Sequence, residues 1–166
     1  MSSLSTERLT PSENRVTLGC FEVAGGLYAL DVSQLREVVR WQPVTPLPKA
    51  PSLIEGVIDL RGAIVPVVDL GRALSGKPLE TRDSTRVAVV EIDGLVMGLV
   101  VDAAIEVVSI ESTCIDDPPG LATQAGYDMT RAVVRRPNDR PILVLSLEHL
   151  LESVYRSTLH ASEGRS

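Results

Sequence analysis

Residues 56–70 read GVIDLRGAIVPVVDL, in which two aliphatic runs flank the pair Arg61-Gly62. Both runs are rich in β-branched residues, so they predict the strands of a hairpin that turns at this pair. Asp69 stands where it would cap a short helix through Leu74. A guanidinium at a hairpin tip is suited to recognising a partner carboxylate, and an ordinary exposed turn explains the same residues.

The sequence on either side predicts further hairpins separated by polar breaks. Four prolines between residues 43 and 51 cannot donate backbone hydrogen bonds, so we expect a stiff, extended loop there. The polar residues 75–84 form the best internal boundary. The other predicted elements are, in chain order, strands at 16–24 and 27–32 around Gly25-Gly26, a helical turn at 33–37 capped by Ser33, strands at 57–60 and 63–68, strands at 87–92 and 95–101 around Asp93-Gly94, strands at 132–135 and 142–145, and an amphipathic helix from Leu147 to Tyr155.

The chain also contains a candidate internal repeat. Short Glu-Val and Val-rich segments of the first half recur in the second half with consistent spacing. Two valine-rich hairpins can match by chance, whereas a true repeat predicts two half-size barrels in tandem with a groove along their seam. The matching positions are Glu22 with Glu91 and Glu37 with Glu106, both at an offset of 69 residues, and Val67 with Val144 at an offset of 77.

These elements predict a mainly β fold of two tandem barrel subdomains with short helices and a C-terminal helix. The expected organisation is a flexible arm at 1–15, one domain at 16–156 and a flexible tail at 157–166. Within the domain, the first barrel is expected mainly at 16–80 and the second mainly at 85–145, with a helix at 146–156 that packs back.

Composition excludes several classes of function. The 166 residues are 44% apolar, enough for a core, and the net charge of −6 argues against nucleic acid as a partner. The two histidines, His149 and His160, belong to no metal-ligand or catalytic motif, and no phosphate-binding glycine loop occurs. Cys20 and Cys114 are interpreted as reduced thiols, with a disulfide or a metal site as the alternative. No signal peptide or apolar run of membrane-spanning length is present, so we expect a cytoplasmic protein. Because the sequence contains no metal-ligand or phosphate-binding motif, we expect neither a cofactor nor a metal.

Several motifs together resemble the CheW family of coupling proteins from bacterial chemosensory systems. The most specific is residues 54–70, which are similar to the family pattern GV-x-NLRG-x-IVPV-x-DL. The resemblance extends from about Thr17 to Val154 and implies two five-stranded, SH3-like β-barrels packed side by side, without catalytic activity. Its other carriers are Phe21-Glu22-Val23, Tyr28-Ala29-Leu30, Leu35-Arg36-Glu37-Val38, Thr45-Pro46-Leu47-Pro48-Lys49-Ala50-Pro51, Gly98-Leu99-Val100-Val101-Asp102 and Pro118-Pro119.

The resemblance also implies partners and a binding surface. A CheW-like protein links the cytoplasmic tips of chemoreceptors, the methyl-accepting chemotaxis proteins, to the regulatory domain of a CheA-type histidine kinase, and it joins other CheW-like proteins in rings within receptor arrays. The receptor contact is expected along the groove between the barrels, and the kinase and ring contacts on their outer faces. The receptor-facing residues implied here are Leu35, Glu37, Thr45, Gly56, Arg61, Val87, Gly98, Val100 and Val101.

Two positions depart from the family pattern. Asp59 replaces the usual Asn before Leu-Arg-Gly and is expected to hold Arg61 within the chain. Arg131 replaces a usual Gly in a strand of the second barrel, next to other arginines. The alternative role is therefore an accessory protein that binds receptors or other CheW proteins but not the kinase. A small-molecule enzyme on a barrel scaffold is the rival from another class.

Gly56 is expected to need a positive φ or close packing.

Overall fold

A computed structural model describes residues 14–117 and 129–154. The described chain is mainly β, as predicted. The strands are β1 (Arg15–Val23), β2 (Gly26–Asp31), β3 (Leu35–Arg40), β4 (Ile54–Leu60), β5 (Ala63–Asp69), β6 (Arg86–Ile92), β7 (Leu95–Val101), β8 (Ala103–Glu111), β9 (Ile115–Asp116), β10 (Thr130–Val134) and β11 (Ile142–Leu145). Helix α1 spans Leu70–Ser75, a second helix, α2, includes residues 147–154, and 3₁₀ turns lie at Val32–Gln34 and Ser112–Cys114. The expected arm, tail and Pro118-Pro119 motif lie largely or wholly outside the described residues.

The predicted hairpins form because their turn residues accept left-handed backbone angles. In the hairpin β4–β5, Arg61 and Gly62 have φ values of 53° and 88°. The turn Asp93-Gly94 repeats this pattern at 49° and 81°. Two successive residues with positive φ match the right-handed twist of the flanking strands. The first hairpin turns at Ala24-Gly25 rather than at Gly25-Gly26, because Gly26 already pairs with Val23 as the first residue of β2.

The helical turn predicted at 33–37 is wrong in position and cap. Asp31, not Ser33, caps a short 3₁₀ turn, and its Oδ1 accepts hydrogen bonds from the backbone N–H and the hydroxyl of Ser33 at 2.9 and 2.8 Å. The chain then extends into β3, which pairs with β6. A ladder with a neighbouring strand overrides the weak helical preference of a five-residue stretch.

The strands form two sheets, but the sheets do not follow the two halves of the chain. The six-stranded sheet, called here sheet A, has the order β8-β1-β2-β11-β10-β9, and the five-stranded sheet B has the order β3-β6-β7-β5-β4. The two expected barrels, mainly at 16–80 and mainly at 85–145, therefore exchange strands in the observed pairing. The hairpin β1–β2 lies among strands of the second half, and β6–β7 lies among strands of the first.

The internal repeat explains this exchange. Val67 of β5 pairs in parallel with Gly98 of β7, and the corresponding Val144 of β11 pairs in parallel with Ala29 of β2. Likewise, Val38 of β3 faces Ala88 of β6, and Val107 of β8 faces Gly19 of β1. Each of these pairs maps onto the other by the offsets of 69 and 77 found in the sequence. The halves are equivalent, and each lends its first hairpin to the sheet of the other.

Three apolar clusters hold the sheets together. One cluster lies within sheet A and includes Leu18 and Ile142, and another lies within sheet B and includes Val67 and Val87. The largest cluster joins both sheets and α2. Burial of apolar surface is the dominant favourable term in folding. Its buried members are Phe21, Val23, Leu30, Val68, Leu70, Ala88, Val90, Met97, Leu99, Val101, Met129, Leu145, Leu147, Leu150 and Val154.

The predicted helix starts are confirmed. The Asp69 carboxylate accepts from the backbone N–H of Arg72 at 3.2 Å and from that of Leu79 at 3.0 Å, so one side chain caps α1 and fixes the following loop. The Ser146 hydroxyl accepts from the N–H of His149 at 3.3 Å at the start of α2. Within the described residues, none of the helices is both long and apolar enough to cross a membrane.

Candidate functional site

An apolar groove lies between β3 and β8, the edge strands of sheet B and sheet A. Its described lining includes Leu35 and Val38 from β3, and Ala104, Ile105 and Val107 from β8. Val38, Ile105 and Val107 are 38%, 47% and 63% exposed. Exposed aliphatic side chains grouped in a concave surface are typical of an interaction site, whereas isolated ones are not. This surface is called the seam groove below.

The most exposed apolar side chains of the seam groove come from β8, a strand that the sequence patterns did not predict. Residues 103–111 read AAIEVVSIE, and β8 pairs with β1 along its length. At the outer edge of sheet A, its Ile105 and Val107 side chains have little to cover them. A signal was present, because Glu106 and the valine after it repeat Glu37 and Val38, which lie on β3, the strand that lines the opposite wall.

Arg61 and Glu37 form an ion pair between the β4–β5 turn and β3, and β4 and β3 are the two edge strands of sheet B. Arg61 sits in the β4–β5 turn, Glu37 sits on β3, and Arg61 Nη2 donates a hydrogen bond to Glu37 Oε2. This hydrogen bond, followed by the attraction of the carboxylate charge, raises the pKa of Arg61 above its usual value. The Arg61 side chain remains 69% exposed. The family resemblance implied both residues as receptor-facing, and the structure brings their side chains together.

Asp59 does not hold Arg61, contrary to expectation. Its Oδ1 accepts the backbone N–H of Gly62 at 2.7 Å and so stabilises the turn that presents Arg61.

A second cavity, of about 380 Å³, lies beside the ion pair and is lined by aliphatic side chains of the same sheet. Its aliphatic members are Leu60, Ala63, Ile64, Val65, Val89 and Val96.

Thr45 and Gly56 meet where the proline-rich segment crosses β4. The backbone N–H groups of Thr45 and Val57 donate to each other's carbonyls at 2.9 and 2.8 Å. Gly56 has a φ of +153°, and a Cβ added there would lie 2.1 Å from the Thr45 carbonyl oxygen. Both expected reasons for a glycine are therefore confirmed. Only a residue without a side chain lets the segment approach this closely.

Five of the nine residues implied as receptor-facing are buried, among them Gly56. Val87 and Val101 are fully buried, Val100 is 7% exposed, and Gly98 is buried in β7. A Cβ on Gly98 would lie 2.8 Å from a methyl group of Val87. Burial argues against direct side-chain contact with a partner at these positions, because the three valines already fill apolar clusters and Gly98 is packed against Val87.

Together, an apolar seam groove and a fixed, exposed charge pair define a protein-interaction module. Among residues 14–117 and 129–154, no group of three or more His, Cys, Asp and Glu side chains is placed to hold a metal ion. Cys20 is buried and Cys114 half-buried, and both are free thiols. Burial, followed by the negative charge of Glu106, raises the pKa of the Cys20 thiol and keeps it protonated.

Comparison with known proteins gives this module a family. The protein-family model of the CheW-like domain matches residues 17–155 of this chain. The chain is 32% identical to the chemotaxis protein CheW of Thermotoga maritima over 81% of this chain and 86% of that one. It is 30% identical to the chemotaxis protein CheW of Rhizobium meliloti, over 82% and 87%. The crystal structure of the scaffolding protein TtCheW from Thermoanaerobacter tengcongensis matches with a TM-score of 0.71 and 33% identity, over 79% of this chain and 88% of that one. The chain belongs to the CheW-like domain family.

Proposed function

We propose that this chain is a non-enzymatic adaptor that couples the cytoplasmic tips of chemoreceptors to the regulatory domain of a CheA-type histidine kinase. The names of its relatives support a scaffold role in chemotaxis-type signalling. The observation that supports binding to a receptor tip is the seam groove, with its exposed Val38, Ile105 and Val107. An apolar groove of this kind accepts the apolar stripe of an amphipathic helix, and a receptor tip is a helical hairpin.

Glu37 and Arg61 set the register of the docked helix in this proposal. Their contact uses Nη2 of Arg61 and leaves most of that side chain exposed, so a partner carboxylate has access to further N–H donors. Holding the guanidinium in place beforehand reduces the entropy lost on binding. Charges at the rim of an interface contribute mainly to the rate and specificity of association.

The residues implied as receptor-facing divide into exposed residues, which contact the partner directly, and buried residues, which act indirectly. Leu35 lines the seam groove, and Thr45 is exposed on the segment that Gly56 accommodates. We assign direct contacts to Leu35, Glu37, Thr45 and Arg61. The buried side chains are assigned the role of shaping the sheets behind them. These are Val87 and Val100 in the apolar cluster of sheet B and Val101 in the largest cluster, and Gly98 packs against Val87.

The accessory role remains the second candidate because of Arg131. This residue is exposed on β10, at the register shift between Thr130 and Ala132, and the strand pairs with β11 and β9 despite it. The arginine therefore leaves the sheet intact and adds a cation to its outer surface. That surface is where the family resemblance places kinase or ring contacts, so the charge bears on which of them forms.

Two titrations test the proposal. The purified chain is titrated separately with a receptor-tip fragment and with the kinase regulatory domain, using isothermal calorimetry. Binding to both supports coupling, binding to the receptor fragment alone supports the accessory role, and binding to neither refutes both. Val107→Glu, which charges the seam groove, is expected to abolish receptor binding. Leu95→Glu is the matched control, because Leu95 is 46% exposed and does not line the groove.

A further inference from the structure

A cavity of about 530 Å³ lies at the ends of β3 and β6, and it shares no described lining residue with the seam groove. It carries three arginines and one acidic residue, in a chain whose net charge is −6. The wall also contains Trp41, the one tryptophan of the chain. Its described lining is Arg40, Trp41, Thr81, Arg82, Asp83, Thr85 and Arg86.

The pairing of β3 with β6 places two of these cations directly opposite each other. Arg40 and Arg86 are cross-strand partners. Like charges in this position repel and destabilise the sheet. Nearby on the same strand, Arg36 has an acidic partner across the ladder, Glu91, at 3.1 Å. Within the described residues, neither Arg40 nor Arg86 forms an ion pair; Arg86 Nη1 donates instead to the carbonyls of Asp83 and Thr85 at 2.7 and 2.9 Å.

The floor of the cavity is held in place by its own hydrogen bonds. Thr85 is buried, and its hydroxyl accepts the backbone N–H of Arg82 at 2.8 Å. The Thr85 carbonyl accepts the backbone N–H of Trp41 at 3.3 Å, which ties the end of β3 to this loop. The arginines are therefore carried on a fixed frame, and binding an anion there costs little loop ordering.

We propose that this cavity binds a small phosphate-bearing anion between Arg40 and Arg86, with Arg82 at its rim and Trp41 as an apolar wall. Guanidinium groups bind phosphate oxygens through paired N–H donors, and a dianion neutralises two opposed cations at once. The volume is within the range of about 300–1,000 Å³ usual for small-molecule sites. The site is separate from the seam groove and does not depend on the proposed adaptor role.

The single tryptophan makes the test direct. Fluorescence of Trp41 and the melting temperature are followed while sodium phosphate or adenosine monophosphate is added, each against sodium chloride of matched ionic strength. We expect saturable changes in both signals with both phosphate compounds. Tighter binding of adenosine monophosphate than of phosphate shows that the wall contacts the organic part of the ligand as well. Arg40→Gln is expected to weaken binding about tenfold through loss of a charge-assisted contact.

Arg36→Gln is the matched control, since Arg36 lies on the same strand and outside the cavity lining. It removes the same charge from the chain and is expected to leave phosphate affinity unchanged. The proposal is overturned if sodium chloride reproduces the effects, if neither signal responds to phosphate, or if both variants bind like the unmodified protein.

Discussion

Gly56→Ala is expected to destabilise the fold substantially, because two effects combine at that position. The new Cβ would lie 2.1 Å from the Thr45 carbonyl oxygen, and the φ of +153° is unfavourable for any residue with a side chain. Backbone strain costs about 1–3 kcal/mol. Moving Thr45 away breaks two backbone hydrogen bonds, each worth about 1 kcal/mol. The expected loss is therefore about 3–5 kcal/mol of the free energy of unfolding.

Urea denaturation followed by circular dichroism measures this loss. Gly94→Ala is the matched control, because Gly94 has a φ of +81° and no neighbouring atom within 4 Å of an added Cβ. That substitution carries the cost of the backbone angle alone, about 1 kcal/mol. Equal free energies of unfolding for the two variants would refute the argument that close approach to Thr45 requires glycine.

Three further changes test other parts of the structure. Arg61→Glu is expected to weaken binding of a receptor-tip fragment about tenfold while changing stability by at most about 0.5 kcal/mol, and Glu37→Arg added to it should restore part of the affinity; unchanged calorimetric affinity would remove Arg61 from the site. Gly98→Val is expected to lower stability by about 1–3 kcal/mol through overpacking, and an unchanged urea midpoint would contradict the tight packing there. Iodoacetamide is expected to alkylate Cys114 before Cys20, whose pKa is raised, as mass spectrometry of timed samples would show; faster modification of Cys20 would contradict its burial.

Local signals in the sequence predicted the hairpins because the turns are decided by a few residues. Arg61-Gly62 and Asp93-Gly94 lie between aliphatic runs, and both turns adopt the positive φ values that such pairs allow. Asp69 was recognised as a helix cap for a similarly local reason. The interpretation of 33–37 as a helical turn was wrong because the ladder with β6 decides the conformation there.

Strand partners could not be predicted in this way because pairing is decided between distant residues. The internal repeat indicated that the halves are equivalent, and equivalence fits both tandem units and exchanged hairpins. The parallel pair of Val67 with Gly98 distinguishes the two arrangements, and only the structure contains it. Strand β8 was missed because it follows β7 after Asp102 alone, without the glycine turn that marks the other hairpins.

The residues implied as receptor-facing differ widely in exposure. The resemblance named Glu37 and Arg61, and they form a contact at the surface. It also named Val87 and Val101, which are fully buried, because resemblance between sequences carries no information on which side of a strand faces solvent. The exposed aliphatic residues of β8 were missing from the prediction, and they form one wall of the seam groove.

We propose that this chain joins a receptor tip to a kinase through separate surfaces. The most direct measurement is co-sedimentation of a receptor-tip fragment with the kinase regulatory domain, with and without the chain. We expect a ternary complex that requires the chain, and we expect Val107→Glu to release the receptor fragment while the kinase domain stays bound. A ternary complex that forms equally well with Val107→Glu, or no complex with the unmodified chain, would contradict the proposal.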